Sequence, residues 1–535
     1  MHREVVTLEL GKYLASLSDD LNRQIGVLVT RKGVITHVIV GDARGIFIPP
    51  LEDYPLGRRP LRGLRLVHTH LNDEPLNKDD LTDLSLLRFD LIAAVGLREG
   101  MPLHIQIAHL IPQAGKDAHE ILPPADFFNN DFDFPPFVEA LEEEFERSRG
   151  FVIAEGDGTK KRKEKTTDRS EAPGERAILV SVSTAPRHEQ MDSIEELAEL
   201  AASSNVGVLE KVIQRPKEIN PRYLLGEGKL KDLVITAMNR GATLLIFDQD
   251  LNPSQIKAIN ELTELKVIDR SQLILDIFAR RAHSRDGKVQ VELAQLKYRL
   301  PRLSGKGTAM SRLMGGIGGR GPGEMKLEID RRRVRERIAL LEKELKSLSE
   351  ARRQRKARRV GNRIPIVSIV GYTNAGKSTL LNALTRSRTF VEDKLFATLD
   401  TASRRLRFPR EREVIITDTV GFIRDLPKDL VAAFRATLEE LEDADLLLHV
   451  VDISNPRFEQ HMTSVNAILK DLDLADKGRL LIFNKTDRLP PEMAENLSVR
   501  FGAIAVSALD SRTFDPLLAA IEDFMFNEKI DAARV

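Results

Sequence analysis

The stretch that most constrains this chain is Gly371-Tyr372-Thr373-Asn374-Ala375-Gly376-Lys377-Ser378. It follows the apolar run IPIVSIVG and precedes the helical TLLNALTR. A Gly-x-x-x-x-Gly-Lys-Ser spacing between a strand and a helix lets successive backbone N–H groups wrap a phosphate. Gly371 and Gly376 permit that backbone path, Lys377 reaches the β and γ phosphates, and Ser378 offers a hydroxyl to Mg2+. Such a loop requires an open parallel sheet with its ligand at the carboxyl ends of the strands. The runs EVIITD, ADLLLHVVD, GRLLIFN and AIAVSA supply the other strands of an α/β domain that starts near residue 361.

Three later motifs define the ligand. Asp418-Thr419-Val420-Gly421 places a carboxylate to hold the Mg2+ shell through water and a Gly421 N–H to sense the γ phosphate. Asn484-Lys485-Thr486-Asp487 ends the strand LLIF; the Asp487 carboxylate accepts from both guanine N1–H and the exocyclic amine, a donor pair adenine lacks. Asn484 is expected to tie this loop to the phosphate loop, and the stem of Lys485 to lie along the base. Val506-Ser507-Ala508 ends the next strand, where backbone N–H groups could donate to guanine O6. Between these motifs, DKLFATLDTASRRL (393–406) reads as a switch segment carrying a Thr that ligates Mg2+ while the γ phosphate is present; Thr398 is the first choice and Thr401 its competitor. GTP with Mg2+, and hydrolysis of its terminal phosphoanhydride, is the expected chemistry. One position is anomalous: where Asp-x-x-Gly is commonly followed by a Gln that orients water, this chain has Phe422.

The chain has 535 residues, enough for several domains. Residues 1–154 carry short β-type runs and end in the acidic helix FVEALEEEFER, a small α+β extension. Residues 155–176 hold a mixed-charge run without large aliphatic or aromatic side chains to offset ordering, a flexible linker. Strands alternate with helices over 177–286, a parallel α/β pattern. Over 287–360, the stripes Val289-Leu293-Leu296-Leu300 and Val334-Ile338-Leu341-Leu345-Leu348 let two helices zip together as an antiparallel hairpin, or pack on the preceding domain. The Gly-rich stretch between them holds Lys306, Arg312 and Arg320 and is too long to be an ordinary connection. The P-loop domain occupies 361–535.

Lys plus Arg and Asp plus Glu both number 81, so only local charge can name a partner. Residues 330–363 hold 14 basic against five acidic residues, which makes the hairpin a positive rod suited to folded RNA. Zero cysteines exclude a disulfide framework and any thiolate site. Without a signal-type start or a run of about 20 apolar residues, a soluble protein is expected.

The chain resembles the HflX family of translational GTPases over roughly 177–527, in the ordered segments LLGEGKLKDL, DQDLNPSQ, VIDRSQLILDIFARRAHSRDGKVQVELAQLKYRLPRL, GGIGGRGPGE, LFATLD and DTVGFIRDLP. The resemblance implies a Ras-like G domain after an α/β HflX N-terminal domain with an antiparallel helical hairpin, preceded here by the extra α+β domain. It implies GTP hydrolysis stimulated by the large ribosomal subunit and its ribosomal RNA, in dissociation or rescue of ribosomes. No DNA partner, no membrane span and a monomer in the cytoplasm are expected, associated with ribosomes or peripherally with a membrane. Alternatives are a GTPase of large-subunit assembly and a GTP-gated RNA-binding module with little hydrolysis. By resemblance, switch I is Phe396-Ala397-Thr398-Leu399-Asp400, which favours Thr398, although Thr401-Ala402 stands where Pro-Thr is usual. Asn374 occupies the position at which potassium-dependent GTPases bind K+, a candidate replacement for the missing Gln beside Lys377, Thr398 and Gly421 as catalytic groups.

The extension contains His68 and His70, two apart and so on one face of a strand, with Asp79, Asp80 and Asp83 downstream. The pattern faintly resembles the zinc site of JAMM-type metallopeptidases, with Asn77 in place of a Ser and no upstream Glu on a strand. His68, His70 and Asp80 are the candidate zinc ligands, set against a chance histidine pair.

Overall fold

The computed structural model describes residues 3–51, 53–56, 59–112, 118–155, 174–282, 284–305, 322–359, 364–385, 402–408, 412–419, 421–424 and 441–526. They fall into two compact units, 1–191 with 207–247 and 254–267, and 192–206 with 248–253 and 268–535.

The first unit begins with α1 (Leu8–Leu21), β1 (Ile25–Thr30), β2 (Ile35–Val40), β3 (Leu64–His70), α2 (Lys78–Leu87), β4 (Leu91–Arg98), β5 (Met101–Leu110), β6 (His119–Ile121), β7 (Ala125–Asp126) and α3 (Phe134–Glu155). The sheet runs β2-β1-β3-β4-β5-β6, with β7 also on β5. Its neighbours are antiparallel except β3 and β4, which α2 connects as a crossover. β3 is buried along its whole length, so alternate residues enter two cores. Val67 faces Leu14 of α1 and Phe134 and Val138 of α3; Leu64 and Leu66 face Leu84 of α2. His68 and His70 share the face of Leu64 and Leu66.

A four-stranded sheet follows, from β8 (Arg176–Val182), β9 (Gly207–Gln214), β10 (Leu244–Phe247) and β11 (Lys266–Asp269), in the order β11-β10-β8-β9. α4 (Arg187–Ser203), α5 (Glu227–Asn239) and α6 (Pro253–Asn260) separate these strands in sequence. β8 is parallel to both neighbours, as alternation with helices demands.

In the second unit, α7 (Arg270–Arg281) and α8 (Arg285–Arg299) precede the long α9 (Pro322–Arg359). Val289, Leu293 and Leu296 of α8 pack against Ile338, Leu341, Leu345 and Leu348 of α9, with Leu341 fully buried. The apolar stripes therefore meet each other, and the ion pairs Arg285–Glu344 and Arg337–Glu292 flank the seam. Lys306, Arg312 and Arg320 of the Gly-rich stretch lie outside the described residues, as does most of the expected linker.

The P-loop domain comprises β12 (Ile366–Gly371), α10 (Lys377–Thr385), β13 (Ala402–Arg407), β14 (Glu413–Asp418), β15 (Leu446–Asp452), α11 (Phe458–Asp471), β16 (Arg479–Asn484), α12 (Pro491–Phe501), β17 (Ile504–Ala505) and α13 (Asp515–Phe526). The sheet order is β13-β14-β12-β15-β16-β17, all parallel except β13. β13 is a difference from the sequence reading, which placed Ala402 to Leu406 in the switch segment. Of Ser403 to Arg407 only Leu406 is buried, so this edge strand has no alternation to read. Among the described residues, no helix is long and apolar enough to cross a membrane.

Candidate nucleotide-binding site

The phosphate loop runs from the end of β12 into α10, beside the end of β14. Thr373 N–H donates to Phe422 O at 2.7 Å and Phe422 N–H to Gly371 O at 3.1 Å, while the Phe422 ring is 2% exposed. Phe422 thus clamps the phosphate loop through its backbone and anchors in the core through its ring. Gly421 passes so close that an added Cβ would lie 2.9 Å from Thr373 Cγ2 and 3.0 Å from Lys377 Nζ. At Gly376, φ is +85° and an added Cβ would lie 2.3 Å from Asn484 Nδ2.

Lys377 is buried and its ammonium donates to Tyr372 O at 2.8 Å. Burial pushes its pKa down to about 8, against the pull of Asp418. Ser378 Oγ donates to the Asp418 carboxylate, which puts the expected magnesium ligand beside the expected water-mediated one. The Thr373 hydroxyl is buried with no hydrogen-bond partner among the described residues, a spare donor at the loop. Thr419 turns its hydroxyl back to Ile369 O at 2.6 Å, so it braces β14 on β12. Asn374 is exposed with φ +59°. It lines a cleft together with Asp452 and Asn455. Val420, Phe396 to Asp400 and Thr401 lie outside the described residues.

Asn484 straps the remaining loops together. Its Nδ2 donates to Ala375 O at 2.8 Å, the tie expected from the sequence, and its Oδ1 accepts from Ala508 N–H at 3.0 Å. Lys485 reaches Asp452 with its ammonium at 2.8 Å, and Thr486 Oγ1 donates to Val506 O at 3.0 Å. Asp487 accepts from Ser507 Oγ at 2.6 Å. The amides of Val506, Ser507 and Ala508, expected to face guanine O6, are committed here to Phe483 O, Thr513 Oγ1 and Asn484 Oδ1. Sheet pairing takes the first, and the turn closed by Thr513 takes the second.

Sequence reasoning missed what Tyr372 does. Its ring stacks on His461 with centroids 3.9 Å apart and planes 2° apart. Its hydroxyl donates to Glu196 of α4 and accepts from Arg424 N–H at 2.9 Å. Arg270 of α7 holds the same Glu196 and bonds Asp248 at 2.8 Å. Burial, reinforced by Glu196, pushes the phenol well above its ordinary pKa, so it stays a donor. Burial also lowers His461 to about 4, leaving a neutral ring against the tyrosine. The phosphate loop and the residues after Gly421 are thereby fixed to a buried ion-pair network. No spacing rule connects positions so far apart in sequence.

Family models match three consecutive regions: a GTP-binding GTPase N-terminal region over 191–279, a GTP-binding GTPase middle region over 281–359, and a 50S ribosome-binding GTPase over 366–485. GTPase HflX of Caldanaerobacter subterraneus subsp. tengcongensis is 50% identical over 354 residues, 66% of this chain and 81% of that protein. GTPase HflX of Escherichia coli is 44% identical over 322 residues, 60% of this chain and 75% of that protein. A crystal structure of a GTP-binding protein from Sulfolobus solfataricus in complex with GDP aligns with 66% of this chain and 98% of its own, at 26% identity and a TM-score of 0.36.

Proposed function

Because the chain belongs to the GTPase HflX family and hydrolyses GTP, we propose that it does so as a switch on the large ribosomal subunit, dissociating or rescuing ribosomes. The observation that carries this reading is the α8–α9 pair. It presents Arg332, Arg333, Arg335, Lys343 and Lys346 to solvent in a chain of zero net charge, and it shares a compact unit with the nucleotide loops. Such a face gives sequence-independent, salt-dependent affinity for the phosphates of folded RNA.

In this reading the amides of residues 371–378 cradle the phosphates, with Gly371 and Gly376 setting the path and Tyr372 to Ala375 forming its wall. Lys377 sits where low polarity strengthens its attraction for the β and γ phosphates. Magnesium fits the donor set: the Ser378 hydroxyl and the Asp418 carboxylate already converge and would hold it, with Thr398 the further ligand proposed from the sequence. When bound, the ion neutralises charge developing between the β and γ phosphates. Gly421 presents its N–H to the γ phosphate, and Asp487 selects guanine. Phe422 cannot orient water, so we assign charge compensation to K+ held by Asn374, whose exposed αL position frees its side chain for that role.

The test is steady-state GTP hydrolysis in K+ buffer with and without purified large subunits. Strong stimulation that weakens when Na+ replaces K+ is expected. Equal rates with and without subunits would overturn the ribosomal reading, and equal rates in the two salts would remove the ion from Asn374.

A further inference from the structure

Outside the nucleotide site, one cluster of metal-ligating side chains is fully assembled among the described residues: His68, His70 and Asp80, all three buried, with one ligand atom from each within 4.8 Å of the others. Its assembly follows from the fold. The two-residue period of β3 places both imidazoles on one face, the face that α2 covers. Asn77 caps α2 by accepting from the N–H groups of Asp79 and Asp80, while the Asp80 carboxylate accepts from Asn77 N–H at 2.8 Å. That capping box fixes the carboxylate of the first helical turn over the two histidines.

The separations are short enough for one ion to meet all three side chains. His68 Nε2 lies 2.8 Å from His70 Nε2 and 3.2 Å from Asp80 Oδ1, and His70 Nε2 lies 3.5 Å from Asp80 Oδ2. Ligands at about 2.0–2.1 Å around a tetrahedral zinc ion stand roughly 3.3 Å apart, close to the separation of His68 Nε2 from Asp80 Oδ1, while the two Nε2 atoms are closer together. His70 is oriented as a ligand: its Nδ1 lies 2.8 Å from Glu74 O, the tautomer-fixing hydrogen bond that turns the Nε2 lone pair toward the cluster. His68 Nδ1 is buried without a hydrogen-bond partner, so no protein group fixes its tautomer against coordination through Nε2.

We propose that His68 Nε2, His70 Nε2 and an Asp80 carboxylate oxygen bind one Zn2+ ion, with a water or hydroxide as fourth ligand. The ion joins β3 to α2 across the core of the first unit. Three protein ligands and one exchangeable position is the coordination of reactive rather than closed zinc sites. Here all three ligands are at most 6% exposed, so the assignment is metal binding and stabilisation of the extension.

The experiment uses the full chain, stripped with chelator and then kept in excess Mg2+ and GDP so that the nucleotide site is filled. Titration with Zn2+ followed by desalting and elemental analysis is expected to give one zinc per chain, lost in both Asp80→Asn and His68→Gln while GTP hydrolysis is retained. Zinc should also raise the thermal midpoint of the wild type and not of the variants, since binding to the folded state alone stabilises it. Should either variant fail to fold, Co2+ bound to the wild type decides: the intense visible bands of four-coordinate cobalt support the site. Weak six-coordinate bands or none, zinc kept equally by the variants, or no zinc retained by the wild type would each overturn it.

Discussion

Replacing Tyr372 by Phe removes one oxygen and leaves the ring free to keep its stack on His461. The lost hydroxyl donates to the buried carboxylate of Glu196 and accepts from Arg424 N–H. A hydrogen bond to a charged group contributes about 1.5–3 kcal/mol, and the half-buried Arg424 N–H left without its acceptor costs at most the roughly 1–3 kcal/mol of a buried donor. Arg270 still holds Glu196, which offsets part of the loss. A net weakening of about 2–3 kcal/mol in the local opening of this region follows, or roughly 30- to 150-fold faster amide exchange at about 1.4 kcal/mol per factor of ten. Hydrogen–deuterium exchange of peptides covering 372–375 and 421–424 reads this directly, and it suits a chain of two units better than a global unfolding curve. The same measurement on Glu196→Gln and on the double variant gives the coupling, expected near 1–2 kcal/mol for a directly bonded pair. Exchange at Arg424 within about twofold of wild type, or additive effects of the two substitutions, would refute the claim that this hydroxyl locks the phosphate loop.

Gly376→Ala forces an L side chain into φ +85° and against Asn484 Nδ2. Strain of about 1–3 kcal/mol should weaken binding of a fluorescent GDP analogue roughly 10- to 100-fold, and unchanged affinity would show that the Asn484 strap yields freely. Lys377 predicts a pH dependence. Its folded pKa of about 8 lies below the roughly 10.4 of an unfolded lysine, so between those values the unfolded chain binds more protons and this group makes stability rise with pH. Phosphate restores the ammonium, so nucleotide binding takes up a proton and affinity falls as pH climbs past about 8. Calorimetry of GDP binding in two buffers of different ionisation enthalpy should find roughly three quarters of a proton taken up at pH 8.5, and none would contradict a desolvated lysine.

The phosphate loop was legible in the sequence, because it is built from neighbours in the chain. A phosphate loop needs only its glycines, its lysine and the strand and helix on either side, so Gly371 to Ser378 could be placed from spacing alone. The reach of Asn484 to Ala375 was also legible, since parallel strands bring their carboxyl ends to one edge. The stripes of α8 and α9 announced that two helices pack, because helical periodicity repeats along one face. Other contacts arise only from packing. Tyr372 meets Glu196 and Arg270 through packing that no local period encodes, and the Val506 to Ala508 amides are committed by partners in β16 and a later turn. His68 and His70 shared a face by strand periodicity, yet which of Asp79, Asp80 and Asp83 joins them depends on how α2 crosses β3. A strand fixes direction every second residue and a helix every turn, but the distance between them is set by the apolar groups packed beneath, here Leu66 and Leu84.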